Sequence, residues 1–260
     1  MEKTNELIIQ NQHSVLKSVL LHLIPGIIVL GGIFLFSQPV FCEILGFDPI
    51  FSPFLGFLMS ILFCLIPIQV GIILFAGKKQ NKSFTLKNIL GNTEKSPTKQ
   101  YFLYIPLYIL FAFIFFYLLS PPVNDFFIEK VFWWYPQEYN FQNQMQDPAA
   151  MQGYDGFTFL FISYILLSCI IAPIVEEFYF RGFLLPRMDR KMGKAAPFVN
   201  TILFSIYHFF SPWENLIRIL VLIPFVYLVW RKKDIRFGIF SHVILNCMGA
   251  TAMAVMVYIV

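Results

Sequence analysis

The feature that most constrains this chain is a series of apolar blocks, each about as long as a bilayer is thick. They run Ser18–Phe41, Ile50–Gly77, Tyr101–Ser120, Phe157–Val175, Ala195–Trp213, Ile217–Trp230 and Phe237–Val260, and a helix needs roughly 20 apolar residues to cross the hydrocarbon core. The first four blocks contain no formal charge. Across the chain 13% of residues are charged and 58% apolar, whereas a soluble domain carries about 25% charged residues. Backbone in lipid must satisfy its own hydrogen bonds, so the expected fold is an all-α polytopic bundle with about seven transmembrane helices. The first block is longer than a signal-peptide core and is followed by no small-x-small cleavage pattern, which makes it a retained anchor.

The charges report topology. Lys3 and Lys17 precede the first block, and Lys78, Lys79, Lys82, Lys87, Lys95 and Lys99 lie between the second and third. Arg187, Arg190, Lys191 and Lys194 separate the fourth from the fifth, and Arg231, Lys232, Lys233 and Arg236 the sixth from the seventh. The alternate loops carry Glu43, Asp48, Asp125, Glu129, Glu138, Asp147, Asp155 and Glu214. The positive-inside rule then puts the N-terminus in the cytoplasm and the C-terminus outside. This distribution accounts for the basic pI without a nucleic-acid partner; the partner is the lipid bilayer.

Cys42, Cys64, Cys169 and Cys247 are dispersed and read as packing residues. No internal repeat divides the chain, so residues 1–156 and 157–260 form one membrane domain, the second part carrying the chemistry. The Lys78–Gln100 loop reads as a flexible connector touching anionic lipid headgroups. Pro121–Gly156 interleaves Phe126, Phe127, Phe132, Trp133, Trp134, Tyr135 and Tyr139 with polar residues, a pattern suited to the membrane interface; within it Val123–Trp134 is expected to lie as a surface amphipathic helix.

Ionisable side chains inside apolar helices are rare and usually functional. The fourth block runs into Glu176-Glu177-Phe178-Tyr179-Phe180-Arg181. Glu177 and Arg181 are i,i+4 and can pair on one face, while Glu176 lies about 100° around the helix. His208 follows Phe204 at i,i+4 in the fifth block, and His242 precedes Asn246 by the same spacing in the seventh. Counted at about 1.5 Å per residue from the basic loops, Glu176 lies ~16 Å deep, His208 ~21 Å, His242 ~9 Å and Asn246 ~15 Å. These overlapping depths allow the residues to meet between the cytoplasmic face and the midplane. His13 and His22 have no such companions and are given no role.

Such a set can hydrolyse an amide in two ways. Glu176 can take a proton from water while His208 or His242 and Asn246 hold the developing oxyanion. Alternatively Glu176, His208 and His242 can bind Zn²⁺, which lowers the pKa of its water and polarises the carbonyl. The side chains alone do not choose. No HExxH, GxGD or GxSG occurs, which argues against zincin, aspartyl and serine chemistries.

The ordered motifs EExxxR (Glu176, Glu177, Arg181), FxxxH (Phe204, His208) and HxxxN (His242, Asn246) resemble the CPBP family. That family comprises the CAAX prenyl proteases of the type II (Rce1-like) class and their bacteriocin-processing or immunity relatives. The resemblance covers roughly residues 157–250. It implies a conical intramembrane cavity open toward the cytosol, Glu176 as the water-activating residue with His208, His242 and Asn246 in the site, and residence in a bacterial inner membrane. Glu177, Arg181 and Phe204 are supporting residues. The expected activity is endopeptidase cleavage of a peptide or membrane-anchored protein near the cytoplasmic side. The alternatives are a non-catalytic immunity or scaffold protein, and a haem protein with His208 and His242 as axial ligands, which leaves the Glu pair unexplained.

Overall fold

A computed structural model describes residues 11–136 and 153–258, and among these the chain is helical with no strand. The helices are α1 Val15–Phe36, α2 Pro39–Leu45, α3 Pro49–Asn81, α4 Thr98–Lys130, α5 Phe157–Met188, α6 Ala196–Tyr207, α7 Pro212–Lys232 and α8 Arg236–Tyr258. Five of them, α1, α3, α4, α5 and α7, are long and apolar enough to cross a membrane. The protein is therefore a multi-pass membrane protein.

The expected count of seven is not matched in full among the described residues. The Ala195–Trp213 block is a 12-residue helix, about 18 Å long, followed by an open stretch before Pro212. His208 is the residue just past its end, with ψ of 59°, rather than a residue inside the helix. The seventh block forms α8, a 23-residue helix that carries His242 and Asn246. Val123–Trp134 is not a separate surface helix: α4 continues through it as far as Lys130. Glu138, Tyr139 and Asp147 of the aromatic segment lie outside the described residues.

Proline shapes the long helices. Wide i→i+5 turns occur at Ile61–Leu65, Phe115–Leu119, Ile165–Ile171 and Glu177–Leu184, each ending two residues before a proline: Pro67, Pro121, Pro173 and Pro186. Proline has no N–H to donate and its ring crowds the carbonyl four residues back. Widening the turn relieves that clash but leaves one carbonyl, five residues before each proline, without its helical donor. Two of these are recapped from elsewhere: Asn246 Nδ2 donates to Ser168 O at 3.1 Å and Asn92 Nδ2 to Arg181 O at 2.9 Å.

The second of those bonds belongs to a docked loop, which corrects the expectation of a flexible connector after Lys78. Gly91 N donates to Gly182 O at 2.8 Å, Ile235 N to Asn92 O at 2.7 Å, and Glu94 N to Lys233 O at 2.9 Å. Ile89 is fully buried. The anchor is Asp234, also buried, which accepts from Ser96 N at 2.8 Å, Arg236 Nε at 2.7 Å and the Tyr101 hydroxyl. Burial by itself pushes the Asp234 carboxyl up, but the bonds from Tyr101, Arg236 and Ser96 outweigh it and hold the group below its usual range.

Replacing Asp234 with Ala is expected to remove about 1.5–3 kcal/mol of docking and to speed amide exchange at residues 91–96 roughly ten- to hundredfold. Because the folded pKa is depressed, this contribution is complete above the ordinary carboxylate range and fades as pH falls from about 4 through the folded value. Exchange in the wild type should then approach that of the variant; no change in either comparison would refute the anchor.

The N-terminal segment straps the same end of the bundle. His13 N donates to Arg187 O at 2.8 Å and Gln12 Nε2 to Pro186 O at 2.9 Å. His22 lies buried, with Nε2 2.9 Å from Asn200 Nδ2. These contacts brace α5 and leave the two histidines with structural partners. The basic segments at Lys17, Lys78–Lys99, Arg187 and Arg231–Arg236 thus gather at one end of the bundle.

Candidate active site

The motif residues converge from α5, α6 and α8. Glu177 and Arg181 are fully buried, with Oε1 and Nη1 3.1 Å apart. The contact is an ion pair without hydrogen-bond alignment, and among the described residues no group accepts from the guanidinium. Its plane instead lies over the Phe204 ring at 4.0 Å, a cation–π contact strengthened by the dry setting. Phe204 also packs against His208 at 4.8 Å and His242 at 6.2 Å between ring centroids. Its supporting place is physical: one ring spaces the cation and both imidazoles.

Glu177 does a second task. Its Oε1 accepts from His242 Nδ1 at 3.1 Å, which makes Nδ1–H the donor and Nε2 the lone-pair nitrogen. That Nε2 lies 3.9 Å from Glu176 Oε2. The close approach requires Gly238, where any Cβ would strike the Glu177 carboxylate. His208 is fixed in the same tautomer by Phe204 O, 2.8 Å from its Nδ1.

Glu176 sits at the wall of a cavity of about 530 Å³ that His208, His242 and Asn246 also line, a volume within the range of ligand sites. Two further residues hold it. Gln69 Nε2 donates to the Tyr207 hydroxyl oxygen at 3.0 Å, leaving the Tyr207 O–H for its bond to Glu176. Neither residue stood out in the sequence, although Gln69 is an amide in an uncharged apolar span, the kind of polar intrusion that marked the other site residues. Glu214 and Arg218, an i,i+4 ion pair lining the same cavity, carried a similar signal.

The zinc alternative needs three converging donors. Among the described residues no three His, Cys, Asp or Glu side chains are placed to hold a metal ion, so Glu176, His208 and His242 do not fit one as arranged here.

The cavity occupies the half of the bundle away from the basic segments. α3 contributes Phe57, Ile61 and Leu65, far from Lys78; α5 contributes Tyr164, Ser168, Ala172 and Glu176, with Arg187 beyond. α7 lines it from Glu214 to Phe225 and α8 from His242 to Ala252, each away from its basic end. A cytoplasmic location for the basic loops and a cavity open to the cytosol therefore do not hold together. The depth count left this hidden because it placed the residues without showing which side of them was hollow.

Fold and site together define a multi-pass membrane protein with a buried Glu/His/Asn centre. Residues 158–248, roughly a third of the chain, match the family model for the type II CAAX prenyl endopeptidase Rce1-like domain, and this stretch contains all the motif residues. The segment is thus similar to an Rce1-like domain, of the CAAX-protease type. No curated protein and no solved structure matches the chain.

Proposed function

We propose that the protein is an intramembrane endopeptidase in which Glu176 activates water. The observation that carries this reading is the pairing of Glu176 with an imidazole already oriented by a second carboxylate, Glu177, at the wall of a cavity. With both histidines donating through Nδ1, their Nε2 atoms are acceptors suited to orienting the water. Glu176 takes one water proton as the oxygen attacks the peptide carbonyl carbon. Asn246 spends one amide N–H on Ser168 O and has a second for the oxyanion. Glu176 then returns its proton to the leaving nitrogen as the C–N bond breaks, yielding a carboxylic acid and an amine.

The test is to compare membrane peptides from cells producing wild type with those from cells producing Glu176→Gln at equal abundance. A fragment pair present only with wild type names the substrate; indistinguishable peptide profiles would count against hydrolysis. Cleavage by purified protein is expected to persist after chelator treatment. A loss reversed by zinc would move the water from Glu176 to a metal.

A further inference from the structure

We propose that the cavity admits an uncharged, apolar segment of a membrane-inserted polypeptide, through a lateral gap between α4 and α8 in the extracytoplasmic half of the bilayer. This rests on the endopeptidase reading and specifies its substrate class and side of access.

The side follows from the charges. The described basic segments lie at one end of the bundle and the cavity in the other half, and the positive-inside rule assigns the basic end to the cytoplasm. The gap follows from the packing of two helices. Near the basic end α4 and α8 are joined through Tyr101 against Phe237 at 4.7 Å and Tyr104 against Phe237 at 6.1 Å. Farther along, Phe116 and Tyr117 of α4 and Met248 and Gly249 of α8 all line the cavity and are also exposed, Tyr117 by 70%. A cavity rimmed on both sides by exposed apolar residues of lipid-facing helices is open to the hydrocarbon.

The lining selects the chemistry. Its charges outside the catalytic centre are Glu214 and Arg218, which pair with each other; Arg218 also donates to Ser211 Oγ and Asn215 Oδ1, both at 2.8 Å. Among the described lining residues no cation is left to hold a free C-terminal carboxylate, so the bond cut is internal to the segment. A spanning substrate must unwind locally to be cut, since in a helix the scissile carbonyl is held in its i→i+4 hydrogen bond.

The experiment uses single-span reporters with uncharged segments, inserted in either orientation in cells producing the full chain, with product ends mapped by mass spectrometry. Cleavage is expected in the extracytoplasmic half of the segment for both orientations and should vanish with Glu176→Gln. A lysine placed in that half should reduce cleavage tenfold or more, whereas one in the other half should not. At Gly249 an added Cβ meets nothing within 4 Å, so Gly249→Trp should fold yet obstruct the gap and lower the rate at least tenfold. Ile244→Trp, on an exposed face of α8 outside the lining, should leave the rate unchanged. Glu176-dependent cleavage in the cytoplasmic half, or a wild-type rate for Gly249→Trp, would overturn the access route and leave hydrolysis standing. If no reporter is cut in a Glu176-dependent way, both this proposal and the endopeptidase reading fall.

Discussion

Substitution of Glu176 by Gln is expected to lower the rate of reporter cleavage by about 10²–10⁴-fold, the span associated with a positioned general base. The change is nearly isosteric. A Gln carbonyl still accepts from Tyr207, so the wall of the cavity keeps its shape while the proton acceptor is lost. The effect should fall on the chemical step, lowering kcat with little change in KM, because the apolar lining that binds the substrate is untouched. Asn246→Ala should cost about 10²–10³-fold, as for removal of one oxyanion donor. Cleavage by Glu176→Gln within a few fold of wild type, at equal protein level, would remove Glu176 from the reaction.

The largest effect on stability is expected at Arg181. Truncation to Ala leaves the Glu177 carboxylate in a fully buried site without its cation, and breaking one partner of such a pair costs about 3–5 kcal/mol. Total stabilities of about 5–15 kcal/mol make that a large fraction. The variant should accumulate poorly and lose folded protein at a markedly lower temperature in detergent. Removing both charges together, as Glu177→Leu with Arg181→Met, should recover most of the stability, since an apolar replacement of a buried pair is often neutral. It should not recover activity, because His242 Nδ1 then has no carboxylate to fix its tautomer. If Arg181→Ala alone matched wild type in thermal unfolding, the pair would not be the brace described.

Much of the site was legible because lipid makes polar residues conspicuous. Glu176, Glu177, Arg181, His208, His242 and Asn246 stood out against apolar surroundings, and i,i+4 spacing anticipated the Glu177–Arg181 contact that the fold contains. What spacing could not reveal was Glu177 serving two partners, since its approach to His242 depends on Gly238 of another helix. The end of α6 at Tyr207 was hidden because the sequence stays apolar through Phe209 and Phe210, and hydropathy does not register an open turn. The basic loop misled in the opposite direction. Its polar composition reads as solvated, but Asp234, Asn92 and Gly91 fix it through backbone hydrogen bonds that composition does not encode.

Pro173 and Pro186 bracket Glu176, and their wide turns have a consequence for alignment. Each such turn holds one residue more than an ordinary helix would over the same rise. Were Pro173 replaced by a residue that let the turn tighten to i→i+4 bonding, with Ala172 N moving from Leu167 O to Ser168 O, the helix beyond it would turn by about 100°, carrying Glu176 out of line with His242 and releasing Asn246 from its tether. The phase of the helix that carries Glu176 is thus set like a gear tooth by a residue with no reactive atom, and a change three residues away can disengage it.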